Sequence, residues 1–187
     1  LPSNGAIAVL DRIRRIITNY PEANTAGLPC EKNPESPAAG IHTLPFSREV
    51  WMEREDFREE ANRKWFRLAP GKTVRRKSAF IVRYVDHVVG ADGRVEEVHA
   101  EYFPDSRSGS DTSGIKAKGT LHWVNAATAI DAEVRLYDRL FADPTPDGHD
   151  GRDFSEFLKP DSLEIRQSCK LEPSLASAEG GTPYQFT

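Results

Sequence analysis

Punctuation is what most limits the fold open to this chain. Thirteen glycines and thirteen prolines are spread through 187 residues, and they cut the sequence into short extended runs separated by turn signals. Arg48–Arg54 alternates, with Val50 and Met52 opposite Trp51. Lys72–Tyr84 reads as a longer strand, and Ala91-Asp92-Gly93-Arg94 as a hairpin turn that returns through Val95–Phe103. Ile115–Val124, Ala132–Phe141, Leu163–Cys169 and Thr182–Phe186 have the same extended character. Ala6–Ile17 fits either a helix or a strand, since Val9, Ile13, Ile16 and Ile17 have helical spacing while the β-branched content favours a strand. The expected helices are short. One runs from an Asp56 N-cap to Lys64, with Glu59 completing a capping box, and the other is a single turn at Phe154–Leu158. Pro21–Gly40, Pro104–Gly114 and Asp143–Arg152 are expected loops, the second a flexible or interdomain connection. Many short strands joined by Gly/Pro turns predict a mainly β protein, with antiparallel barrels or sandwiches and a few helical turns.

Length allows one large domain or two small ones. No apolar run approaches the ~20 residues of a membrane span, and no signal peptide opens the chain. The first residue is Leu1 and the one methionine is Met52, so the sequence reads as a piece of a longer or processed polypeptide. Cys30 and Cys169 lack metal-ligand spacing and fit a reducing cytosol.

Charge is unevenly placed. The chain carries 29 acidic against 25 basic residues, a net charge of -4. Ala61–Val85 inverts that balance: Arg63, Lys64, Arg67, Lys72, Arg75, Arg76, Lys77 and Arg83 fall there with no acid, interleaved with Trp65, Phe66, Phe80 and Tyr84. A basic, aromatic stretch on an acidic protein points to a local anionic ligand, with nucleic acid the leading class. In a strand, Arg75 and Lys77 would share a face about 6.6–6.8 Å apart. The Pro70-Gly71 turn would bring Arg67 to the same end. The same residues also suit a solvated edge strand, where charge blocks sheet-to-sheet pairing.

Motifs for nucleotide chemistry are missing. The sequence has no GxxxxGK loop, no GxGxxG fingerprint, no GxSxG elbow and neither HIGH nor KMSKS. His87, His99 and His122, with Asp86, lie on candidate neighbouring strands, but their spacing matches no metal or acid–base motif. The acidic Glu53–Glu60 segment reads as a solvated helix face.

Leu121–Phe141, LHWVNAATAIDAEVRLYDRLF, resembles a signature segment of the glutaminyl-tRNA synthetases, in their C-terminal anticodon-binding region. The order of AVLD (Ala8–Asp11), LPFSREVWMEREDFREEAN (Leu44–Asn62), RLAPGKTVR (Arg67–Arg75) and YQF (Tyr184–Phe186) agrees with it, so the resemblance covers nearly the whole chain. It implies two consecutive six-stranded antiparallel β-barrels, residues 1–118 and 119–187. The second is expected to be incomplete at its C-terminal end, and exchange of strands between the two is left open. These barrels would grip a tRNA anticodon loop. By the same resemblance Arg67 faces the third anticodon base, a guanine, Arg75 and Lys77 the first base, and Gln185 the middle uracil; Arg76 is counted in the same group. Donor pairs on Arg suit guanine O6 and N7, and Gln both donates and accepts toward uracil. Lys77 stands where the family has Arg, and Gly5 where it has a basic residue. ATP and magnesium would belong to an upstream catalytic domain of the same polypeptide, with no metal, cofactor or catalytic residue in this segment. The implied setting is a cytoplasmic monomer with no membrane partner. Two other classes remain as alternatives: a structural ribosomal-RNA-binding barrel, and a small metal enzyme built on the histidines.

Overall fold

A computed structural model describes residues 4–33 and 36–186. The first half of these residues forms β1 (Asn4–Ala6), β2 (Ala8–Val9), β3 (Arg12–Ile17), β4 (Ala26–Glu31), β5 (Ile41–Phe46), β6 (Glu49–Glu53) and β7 (Thr73–Arg76). The second half forms β8 (Ile81–Val89), β9 (Val95–Tyr102), β10 (Thr120–Leu121), β11 (Val124–Asn125), β12 (Ile130–Tyr137), β13 (Leu163–Leu171) and β14 (Tyr184–Phe186). Helical structure among these residues is limited to short 3-10 turns, the longest being Pro173–Ser177. None could cross a membrane. The protein is mainly β.

The largest sheet runs β10-β7-β8-β9-β3-β6-β11. Its two edge strands, β10 and β11, are separated by only His122 and Trp123. One short segment, Thr120–Asn125, therefore pairs with β7 at one edge and with β6 at the other, and the sheet closes on itself. Counted once, that segment makes a six-stranded barrel. Its pairings are mixed rather than all antiparallel: β3 runs parallel to β9, and β10 parallel to β7. The closing segment also comes from beyond the expected boundary at residue 118/119.

Period-two alternation decides the ambiguous N-terminal stretch in favour of strand. In β3, Ile13, Arg15 and Ile17 point inward, and β6 contributes Val50 and Met52 to the same interior. Phe46 sits at the centre, edge-on to Tyr20 and Trp123 at ring separations of 5.0 and 5.2 Å. Trp123 also donates its indole N–H to the Lys77 carbonyl at 3.0 Å, so the closing segment is held by both packing and hydrogen bonding.

The remaining strands join the two ends of the chain. β13 lies between β12 and β2, and β1 runs parallel to β14. Residues 4–9 thus pair with strands beyond residue 160, while 120–125 closes the first barrel. One buried carboxylate, Glu172, and one half-buried carboxylate, Glu53, pin these crossings. Glu172 accepts from the Ile7 amide through Oε2 at 2.8 Å and from Ser174 through Oε1, with His42 Nε2 3.0 Å from the same Oε1. Glu53 accepts from the amides of Leu10 and Asp11 at 2.6 and 3.0 Å.

Three local expectations are corrected. Pro21–Gly40 is not all loop: Leu28 and Cys30 alternate onto the core in β4, which pairs only with β5, so Pro29 forfeits no second ladder. Pro34 and Glu35 of that stretch lie outside the described residues, as do Leu1–Ser3 and Thr187. The helix from Asp56 to Lys64 does not form. Asp56 closes a 3-10 turn and turns its carboxylate inward toward Arg67, while the Glu59 carboxylate binds His87 at 2.9 Å, so tertiary ion pairs replace the capping box. The strand expected over Lys72–Tyr84 is broken by a tight turn at 77–79, where Ser78 adopts a φ of 58°. That turn makes β7 and β8 a hairpin, closed by Arg76 N–H to the Phe80 carbonyl at 2.9 Å.

Candidate nucleic-acid interface

Residues 58–67 form an irregular loop between the ends of a parallel bridge from Phe57 to Leu68. Arg58 N–H binds the Leu68 carbonyl at 3.2 Å, and Leu68 N–H the Asp56 carbonyl at 3.0 Å, which ties the loop base together. Inside it, Asn62 caps the turn by accepting from Lys64 N–H. The Trp65 ring lies under the Arg58 guanidinium at 3.9 Å, with Arg67 at 5.7 Å. The loop thus presents Arg63, Phe66 and Arg67 to solvent from a rigid base.

Across from the loop, the Ile115–Gly119 segment brings up Lys116 and Lys118. Gly119 permits this approach, because a side chain there would collide with the Phe66 carbonyl. Arg63, Arg67, Lys72, Lys116 and Lys118 line one cavity of about 210 Å³ together with three uncharged residues and no acid. Lys118 Nζ stands 5.5 Å over the Phe66 ring, which is half exposed. Five cations around an aromatic floor is chemistry suited to a phosphate and a stacked base.

Arg67 is oriented from behind. Asp56 Oδ1 lies 3.3 Å from its Nε, and Glu55 Oε1 3.3 Å from its Nη1. Asp56 is itself buried, and burial raises its pKa against the pull of His122, Arg67 and Arg15. Glu59 binds His87 rather than Arg67. These contacts engage Nε and Nη1, while Arg67 also lines the cavity.

The remaining expected site residues are scattered. Arg75 donates Nη1 to the Ser106 carbonyl at 2.7 Å and pairs through Nη2 with Asp111, so the 104–114 segment folds onto it as a strap rather than a free linker. Hydrogen bonds from Ser113, then the Arg75 guanidinium, hold the Asp111 carboxyl below its usual range. Lys77 sits in the hairpin turn, so it does not share a strand face with Arg75; its backbone N–H binds the Leu121 carbonyl at 2.9 Å. Arg76 is corrected outright: it is 0% exposed, pointing into the barrel, and no ligand on the surface reaches it. Gln185 is exposed on β14, in register with Gly5, whose own added Cβ would stand 3.1 Å from the Lys32 carbonyl. Phe186, its neighbour, lines a cavity of about 840 Å³ that Glu55 also lines. The support of Arg67 and the Gln185 strand thus border one cleft.

His87, His99 and His122 do not converge. Each has its own carboxylate: Glu59, Glu97 and Glu53. Among the described residues no three His, Cys, Asp or Glu side chains are placed to hold a metal. Cys30 and Cys169 are free and buried. What the sequence reading missed at the cavity are Lys116 and Lys118; their one-residue spacing was a visible signal, but only the fold carries them across to Arg67.

Residues 4–103 match the family described as tRNA synthetases class I (E and Q), anti-codon binding domain, and residues 120–187 match a second family of the same description. Among curated proteins, the chain is 49% identical over 182 residues to the glutamine–tRNA ligase of Bordetella avium, 48% over 181 to that of Rhodopirellula baltica, and 44% over 181 to that of Cupriavidus taiwanensis. These alignments cover 96–97% of this chain but only 30–31% of each relative.

Proposed function

As a member of the class I (E and Q) tRNA synthetase anticodon-binding family, the chain recognises, we propose, the anticodon loop of a tRNA, and does so as the specificity region of a glutamine–tRNA ligase. The acid-free cationic cavity is the observation that carries this reading. A splayed single-stranded loop offers it both phosphates and unpaired base edges. On this reading Arg67 faces guanine at the third anticodon position, exchanging the exposed Glu55 for the base. Arg75 and Lys77 serve the first base, with Arg75 exchanging Asp111 for the nucleotide, and Gln185 serves the middle uracil beside Gly5. Lys116 and Lys118 neutralise the backbone between them. ATP, magnesium and glutamine are handled by a catalytic domain of the same polypeptide. Tethered to that domain, the region acts as a monomer in the cytoplasm, where tRNA is charged.

The test is direct binding of the chain to an anticodon stem-loop carrying the glutamine anticodon, followed against salt. Three or four phosphate contacts give a log–log slope of roughly -2 to -3. A flat titration, or equal affinity for a hairpin with a scrambled loop, contradicts the reading.

A further inference from the structure

The interior of the closed barrel holds two arginines that the RNA-binding reading does not use. Arg15 projects from β3 between Ile13 and Ile17, in register with Val50 and Val98 on the adjacent strands, both fully buried. Arg76 projects from β7 with its guanidinium 5.9 Å over the Trp123 ring. Both are 0% exposed, and none of their six guanidinium nitrogens has a hydrogen-bond partner. The one carboxylate placed among them, Asp56, is 4% exposed; its Oδ1 is turned to Arg67 and its Oδ2 has no partner.

An isolated buried charge is strongly unfavourable unless it is paired and hydrogen-bonded. A lysine or carboxylate escapes by changing its protonation; a guanidinium does not, because it keeps its proton in proteins. Burial pushes the Arg15 guanidinium down to about 9, against the pull of Asp56, and burial together with the charge of Arg15 pushes Arg76 down as well. β7 and β3 lie three strands apart in either direction around the six-stranded barrel, so Arg15 and Arg76 project into its interior from opposite walls. Asp56 carries one negative charge and its Oδ1 already faces Arg67, so it does not neutralise both buried guanidinium groups. The missing partner has to come from outside the chain, be anionic and be small enough for a closed six-stranded barrel.

We propose that the barrel interior binds one small inorganic monovalent anion, of the halide class, between the guanidinium groups of Arg15 and Arg76. The site supplies the hydrogen-bond acceptors that the surrounding Ile, Val and Trp side chains cannot. It is separate from the surface cavity and does not depend on whether that cavity binds RNA.

Bromide provides the probe. Crystals of the 187-residue chain grown in sodium bromide are expected to show an anomalous peak within hydrogen-bond distance of both guanidinium groups. In solution, replacing gluconate by bromide at fixed ionic strength should raise Tm by about 2–4 °C once bromide reaches roughly five times its Kd. The R15L/R76L double variant should fold and lose that anion-specific shift, which separates the site from general salt effects. Peaks at the surface as an adventitious ion only, water alone between the two arginines, or an undiminished shift in the double variant would overturn the proposal. Should R15L/R76L fail to fold, the wild-type anomalous map decides by itself.

Discussion

Both regions of this molecule are built from alternating strands, yet they bury their side chains to very different degrees. In the first barrel Phe46, Val50, Met52 and Val82 are fully buried. In the second region Tyr137 is 74% exposed and Ile165 49%, although β12 and β13 pair along almost their whole length. Alternation is common to both, so it is not the cause. The first sheet closes through the Thr120–Asn125 segment and encloses an interior; the sheet of β12, β13 and β2 remains open among the described residues. Closure, rather than strand composition, turns an apolar stripe into a core. The residues proposed to face RNA follow the same division, since the five-cation cavity is built on the closed barrel and the segment leading into its closing strand, while Gln185 stands on the open side.

The sharpest way to break this comparison is to remove the residue that closes the barrel and, separately, an apolar residue of the open sheet. Trp123→Ala deletes a buried indole and its hydrogen bond, and is expected to cost about 3–5 kcal/mol in urea unfolding. Ile165→Ser should stay within about 0.5 kcal/mol. Similar losses in the two variants would mean that the open sheet is as tightly packed as the barrel.

Glu172 joins the regions rather than belonging to either. Truncating it to Ala leaves the buried Ile7 N–H without an acceptor, at a cost of about 1–3 kcal/mol. Because residues 4–9 are then less firmly held to β13 and β14, the second region should unfold ahead of the first. Far-ultraviolet circular dichroism and Trp fluorescence would separate into two transitions; coincident transitions at the wild-type midpoint would show that the joint does not depend on Glu172.

A smaller effect is expected at Glu53. Burial opposes its ionisation, but the nearby His122 imidazole and hydrogen bonds from the Leu10 and Asp11 amides outweigh that and hold its pKa below the ordinary value of 4.5. A depressed carboxyl pKa stabilises the fold fully above the unfolded value, and that contribution is lost as pH falls through the folded one. Glu53→Gln should therefore flatten the acid limb of the Tm–pH profile below about pH 4.5 and leave its slope above about pH 6 unchanged. An unaltered acid limb would place the acid sensitivity elsewhere.

Much of this architecture was legible in the sequence. Turn residues and alternation located most of the strands, and the contrast between a net-acidic chain and an acid-free stretch singled out Arg67. The errors share a cause. Asp56 and Glu59 have the spacing of a capping box, but Arg67 and His87 claimed the two carboxylates, and contacts of that range are not encoded locally. The turn at Ser78 lacks Gly, Pro or Asn, so nothing in the sequence marked the break that separates Arg75 from Lys77. Arg76 was grouped with its neighbours by charge alone, whereas strand alternation after Val74 already directs it inward. Lys116 and Lys118 lie some fifty residues from Arg67, and only barrel closure brings them together.

The central claim is that the closed barrel reads RNA through Arg67, held from behind by Asp56. Its most direct test is the affinity of the chain for two anticodon stem-loops that differ only at the third anticodon base, guanine against adenine, using wild type, Arg67→Lys and Arg63→Lys at one ionic strength. A guanidinium fork on guanine O6 and N7 cannot be replaced by an ammonium. Arg67→Lys is therefore expected to reduce the preference for guanine by about 1–3 kcal/mol, roughly five- to 150-fold. Arg63→Lys should leave that preference nearly unchanged. If Arg67→Lys weakens both hairpins equally, Arg67 only orders the loop and neutralises phosphate, and the claim fails.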